Sequence, residues 1–136
     1  MSKTSKASAR RRKGFAHSLT AGNHTLIADE PPEKGGTDAG PEPTQLLALS
    51  LASCTAITVE MYAERKEWDV GDVAVDVDYE LDPKGTSRFD VLVEIPGDVS
   101  EEQLGKLRAI AGRCPVHRVL IGDVEINDEV RRVQRP

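Results

Sequence analysis

Hydrophobic and polar residues along this chain follow two rhythms, and the changes between them predict its elements. From Phe15 to Ala28, "FAHSLTAGNHTLIA" alternates on either side of Gly22-Asn23, a pair suited to a tight turn, and predicts a two-stranded hairpin. The prolines and glycines of "DEPPEKGGTDAGPEP" exclude regular structure and predict a flexible entry to a helix. Between Thr44 and Arg65 the apolar residues, Leu46, Leu51, Ile57 and Met61 among them, cover more than one helical face, which marks the central core helix. Period two returns in "VAVDVDYEL" (Val73–Leu81) and "RFDVLVEI" (Arg88–Ile95), which predict an antiparallel hairpin across "DPKGTS". "SEEQ" at Ser100–Gln103 fits a capping box ahead of a helix buried through Leu104, Leu107 and Ile110. A short helix, Pro115–Leu120, and a last strand in "DVEINDEV" give the order β-β-α-β-β-α-α-β, an α+β fold.

Composition narrows this reading. A chain of 136 residues is one domain, and with aromatics at only 4 % its core must be aliphatic. A net charge of −5 would repel nucleic acid from the body as a whole. The exception is local: Lys3, Lys6 and Arg10–Lys13 make residues 1–13 a basic, flexible N-terminal arm, leaving residues 14–136 as the domain. Such an arm is a solvated lead-in to the first strand or, alternatively, a nucleic-acid contact. No apolar stretch follows it as a secretory signal requires, which places the protein in the cytoplasm. The uncharged segment Pro43–Val59 is too short to span a bilayer, so no membrane is expected.

The candidate chemistry rests on two cysteines. In a reducing compartment, cysteines are more often free or catalytic than permanently crosslinked. Cys54, mid-helix, is on ordinary expectation an inert small hydrophobe. Cys114 precedes Pro115, which suits the first helical position, so its sulfur would cap a helix near unpaired N–H groups that favour thiolate; Arg113, His117 and Arg118 are close enough in sequence to add to the effect. Together the two have the parts for a cycle in which one thiolate attacks an oxidant and the second resolves the sulfenic acid as a disulfide. The same atoms with His117 and His24 are a competing metal set, but the chain has no C-x-x-C knuckle, and no metal is expected. "GGTDAG" lacks the lysine of a phosphate loop, no nucleophile elbow is present, and no cofactor is called for.

"HTLIADEPPEKGGTDAGPEPTQLLALSLASCTAITVEMYA", with the distant "CPVHRVL", resembles the OsmC/Ohr family of thiol-dependent peroxidases over about Gly14 to Val130. Its most specific parts are G-x-x-P-x-x-L-L before a helical Ala-Ser-Cys, and Cys-Pro-Val-His. The resemblance implies an intertwined homodimer in which antiparallel sheets wrap long central helices and the active sites lie at the subunit interface. It implies that Cys54 is the peroxidatic and Cys114 the resolving cysteine, that organic hydroperoxides are the substrates, and that a dithiol regenerates the disulfide. Family members also use an N-terminal Arg to hold the thiolate, for which Arg12 and then Arg11 are candidates. They carry a Glu where this chain has Thr44, with Glu42 two residues earlier as the substitute. That departure leaves a second reading open: a redox-sensing or small-molecule-binding protein with little turnover.

Overall fold

A computed structural model of the chain describes residues 5–134. The fold is α+β, with two small sheets and three α-helices in the order β1 (Ala7–Lys13), β2 (Ala16–Ala21), β3 (His24–Ala28), α1 (Pro43–Lys66), β4 (Ala74–Glu80), β5 (Arg88–Glu94), α2 (Glu101–Ala111) and α3 (Pro115–Ile121). The chain forms two compact units: one runs up to Ala52 and includes Asp76–Leu92, and the other holds Ser53–Val75 and everything from Val93 on.

The first unit contains an antiparallel sheet in the order β1-β2-β3. Both of its turns are two-residue loops with glycine at the first position, Gly14 at φ 59° and Gly22 at φ 61°, a backbone that costs glycine little. β1 corrects the expected flexible arm. Residues 7–13 pair with β2 from Ala7↔Ala21 to Lys13↔Ala16, with one irregularity between Arg11 and Lys13; Met1–Thr4 lie outside the described residues. Four consecutive basic residues hide the strand because they erase its alternation. As an edge strand, however, it needs pairing on one side only, and lysine and arginine there discourage further strands from adding.

The loop after β3, expected to be flexible, is instead tied to one buried carboxylate. Asp29, 2 % exposed, accepts hydrogen bonds from Glu30 N (2.7 Å), Thr37 Oγ1 (2.8 Å), Thr37 N (3.3 Å) and Ala39 N (3.0 Å). Its own N–H donates to the Pro41 carbonyl at 3.1 Å, close to the start of α1. Gly36 and Gly40 let the backbone double back so tightly that a Cβ would run into the carbonyls of Glu30 and Ile27 respectively. The N–H groups of Ala39 and Glu30 do most to pull the Asp29 carboxyl down from 3.8 to about 2.

In the second unit, Val59 and Ala63 of α1 pack with Val70 and Leu107, flanked by Tyr62, Trp68 and Ile95. Tyr62 and Trp68 meet edge to face at 5.7 Å, and the Lys66 ammonium lies 5.6 Å from the Tyr62 ring centre. The capping box of α2 closes as its sequence predicts: Gln103 N donates to Ser100 Oγ at 3.1 Å and Ser100 N to Gln103 Oε1 at 2.9 Å. α1 ends without the usual glycine. Glu67 takes φ 61° while Trp68 N reaches back to the Ala63 carbonyl at 2.9 Å. By length and composition α1 could cross a membrane, but its Val59 and Ala63 pack as the core of a folded unit.

The expected last strand does not form. Residues 123–130 have no regular structure, and Ile126 and Val130 are 75 % and 97 % exposed. Alternation specifies a face, whereas a strand also requires a ladder partner, and the single chain supplies none to this segment.

Because the Asp29 carboxyl is lowered in the fold, its contribution to stability is present above its unfolded value and is lost as pH falls towards about 2. Asp29→Asn is therefore expected to lower the urea midpoint at neutral pH. It should also flatten the acid limb of stability against pH, read by circular dichroism; an unchanged acid limb would remove Asp29 as the loop's anchor.

Candidate active site

The two cysteines come together in the second unit. Cys54 lies half-buried midway along α1, and Cys114 is completely buried at the cap of α3; both are free thiols. Pro115 occupies the first turn of α3 and Cys114 is extended at φ −64°, ψ 144°, so its sulfur accepts from the His117 backbone N–H at 3.2 Å. That is the capping geometry the sequence suggested. Thr55 Oγ1 donates to the same sulfur at 3.8 Å.

Cys54 lies near enough to Cys114, the Val116 backbone N–H and the Thr58 side chain for each to act on its thiol. Thr58 follows Cys54 by four residues, one helical turn, and so shares its face of α1. Burial pushes the Cys54 thiol above its ordinary range, and neighbouring Cys114 adds to the rise. The Val116 N–H and Thr58 pull the other way. The net shift is away from the stabilised thiolate that the resemblance leads one to expect.

The remaining candidates are engaged within the first unit. Arg11 and Arg12 are exposed on β1, and Arg11 Nε donates to the Gly14 carbonyl at 2.7 Å, bracing the β1–β2 turn. Glu42 forms an ion pair with Lys34 at 3.2 Å, while its N–H donates to Gln45 Oε1 at 2.9 Å. Thr44 is exposed on the first turn of α1. Among the described residues, no three His, Cys, Asp or Glu side chains cluster as a metal site would require.

The sequence left Thr55, Thr58 and Val116 unnoticed. Only the Cys54-to-Thr58 spacing carried a signal. His117 has a ring atom to account for: Nδ1 is buried with no hydrogen-bond partner among the described residues. Leaving such a group unsatisfied costs about 1–3 kcal/mol.

The family model described as OsmC-like protein matches residues 35–128, a span that includes both cysteines. The chain belongs to the OsmC-like family. Solved structures agree on the fold. An OsmC-like protein from Mycoplasma pneumoniae superposes with a TM-score of 0.75 at 21 % identity, over 90 % of each chain. An organic hydroperoxide resistance protein OsmC from Legionella pneumophila gives 0.64 at 24 %, covering 88 % of this chain and 90 % of that one. The organic hydroperoxide resistance protein OhrB of Bacillus subtilis gives 0.58 at 25 %, covering 90 % and 94 %. A search of curated proteins returned no match.

Since neighbouring Cys114 helps to raise the Cys54 thiol, Cys114→Ala should move the Cys54 titration to lower pH. Thiolate absorbance followed against pH checks this, and an upward shift would mean that Cys114 stabilises the Cys54 thiolate instead.

Proposed function

We propose that this OsmC-like protein is a thiol-dependent peroxidase that reduces organic hydroperoxides to alcohols through a disulfide cycle of Cys54 and Cys114, in cytoplasmic oxidative-stress defence. The observation that carries this reading is the approach of two free thiols sixty positions apart in sequence, one half-buried and one fully enclosed. Two reduced sulfurs so placed have the parts for a disulfide. The hydroperoxide-resistance names of similar structures support the same chemistry.

In this cycle the Cys54 thiolate attacks the distal oxygen of the hydroperoxide, the O–O bond breaks, and the alcohol leaves with a proton. Cys54 is then a sulfenic acid. Cys114 attacks its sulfur, forming the disulfide and releasing water; an external dithiol, oxidised in turn, restores both thiols. Cys54 is the more accessible of the two and so the one a substrate meets first. Arg12 or Arg11 is the candidate to hold the thiolate, and Glu42 the candidate carboxylate to orient that arginine.

The working unit is a homodimer. Leu49, Ile57 and Met61 on α1 are each more than half exposed, as are Val124, Ile126 and Val130 near the C-terminus, and apolar surface on this scale calls for a partner.

The raised Cys54 thiol and Thr44 in the place of the family Glu favour a second reading, redox sensing or small-molecule binding with little turnover. One experiment separates the two. Cys54→Ser should abolish dithiol-dependent consumption of cumene hydroperoxide, and the wild-type rate should climb from neutral into alkaline pH as the thiol ionises. A wild-type rate no higher than that of a free thiol, with the Cys54–Cys114 disulfide nonetheless forming on mass spectrometry, selects the sensor. Sedimentation at working concentration should show a dimer, and a folded monomer would overturn that part of the reading.

A further inference from the structure

Asp29 and Thr55 are the polar side chains buried among the described residues, and their surroundings differ. Asp29 anchors a loop. Thr55, 2 % exposed, lies four and eight residues before Val59 and Ala63, so it shares with them the core-facing side of α1. Valine has the same shape and would fill that position without burying a hydroxyl. The Thr55 hydroxyl reaches Cys114, donating to its Sγ at 3.8 Å. Cys114 is fully enclosed, so its sulfur receives this donor and the His117 backbone N–H, at 3.2 Å, where an exposed sulfur would meet water. A neutral thiol accepts hydrogen bonds weakly, whereas sulfur carrying negative charge accepts them strongly. A hydroxyl aimed at Cys114 therefore does little for the resting protein and most when charge gathers on that sulfur.

We propose that Thr55 is a catalytic residue of the resolving step: its hydroxyl holds the charge that develops on Cys114 Sγ as this sulfur attacks Cys54. The inference rests on the disulfide cycle proposed above. Cys114 Sγ forms the S–S bond, the S–O bond of the Cys54 sulfenic acid breaks, and the departing hydroxide takes the proton lost from Cys114 to leave as water. Thr55 directly follows Cys54 on α1, so the helix that carries the attacked sulfur also carries the donor to the attacking one.

The test contrasts Thr55→Val, which removes the hydroxyl and keeps the shape, with Thr55→Ser, which keeps the hydroxyl and removes the methyl. The probe is the aromatic disulfide of thionitrobenzoate, in excess over reduced protein. Cys54 expels a first coloured thiol in a phase that scales with reagent. Cys114 then attacks the mixed disulfide on Cys54, loses its proton to buffer and expels a second coloured thiol in a phase independent of reagent. That second phase should be about thirtyfold slower than wild type in Thr55→Val and Thr55→Ala, and within about threefold of it in Thr55→Ser, with near-ultraviolet circular dichroism unchanged. A second phase in Thr55→Val close to the wild-type rate would overturn the proposal. So would a Thr55→Ser phase as slow as that of Thr55→Val, which would make Thr55 a packing residue. A wild type without the reagent-independent phase would overturn the proposal and the disulfide cycle together. In a separate arm, cumene hydroperoxide should give a Cys54 sulfenic acid in Cys114→Ala, trapped by dimedone. Absence of that adduct would overturn the peroxidase reading and leave the effect of Thr55 on thiol exchange standing.

Discussion

Two free thiols brought near each other in a poorly solvated interior are the feature on which the rest of the candidate site depends. Burial makes Cys54 reluctant to ionise, and a neighbouring sulfur makes it more so. The same enclosure keeps the pair aligned and shields Cys114 from anything except its partner. Reactivity and protection thus pull against each other, and the local donors around the sulfurs mark where the compromise lies. Val116 N–H and Thr58 favour the charged form of Cys54; Thr55 and the His117 N–H address Cys114.

Much of this was legible in the sequence because it follows from local rules. The all-round apolar run of α1, the Ser100 capping box and the cap position of Cys114 ahead of Pro115 are each written in a few neighbouring residues. The meeting of Cys54 with Cys114 is not. Sixty residues separate them, and no spacing rule reaches that far; the chemistry of a two-cysteine cycle and the resemblance pointed to the pair, but neither could place the sulfurs together. Elsewhere the pattern misled. Four adjacent cations disguised β1, and a loop rich in glycine and proline looked pliant because Asp29, its anchor, is one acidic residue among several in "DEPPEKGGTDAGPEP". Nothing in the residue type reveals that its carboxylate accepts four hydrogen bonds rather than facing water.

The C-terminal segment failed for another reason. Val124 and Ile126 alternate with polar neighbours as a strand should, yet in one chain they stay exposed. A strand is a relation between two segments, so a pattern that expects a partner can be correct in its periodicity and still have no ladder to join. The exposed apolar residues of α1 raise the same issue on a helix: burying them needs surface from outside the chain.

Comparison of Ser100 with Cys114 shows how little separates a structural motif from a reactive one. Both residues terminate a helix by accepting the N–H three positions on, and both are followed at that position by a side chain able to return the bond. With oxygen and glutamine the motif closes on itself, every donor has a partner, and the result is a stable helix start. With sulfur and histidine it closes only halfway: the sulfur takes the His117 N–H, and the ring nitrogen Nδ1 stays buried without a partner among the described residues. The second arrangement is the weaker cap, because a buried nitrogen left without a partner costs about 1–3 kcal/mol that the closed Ser100 box does not carry.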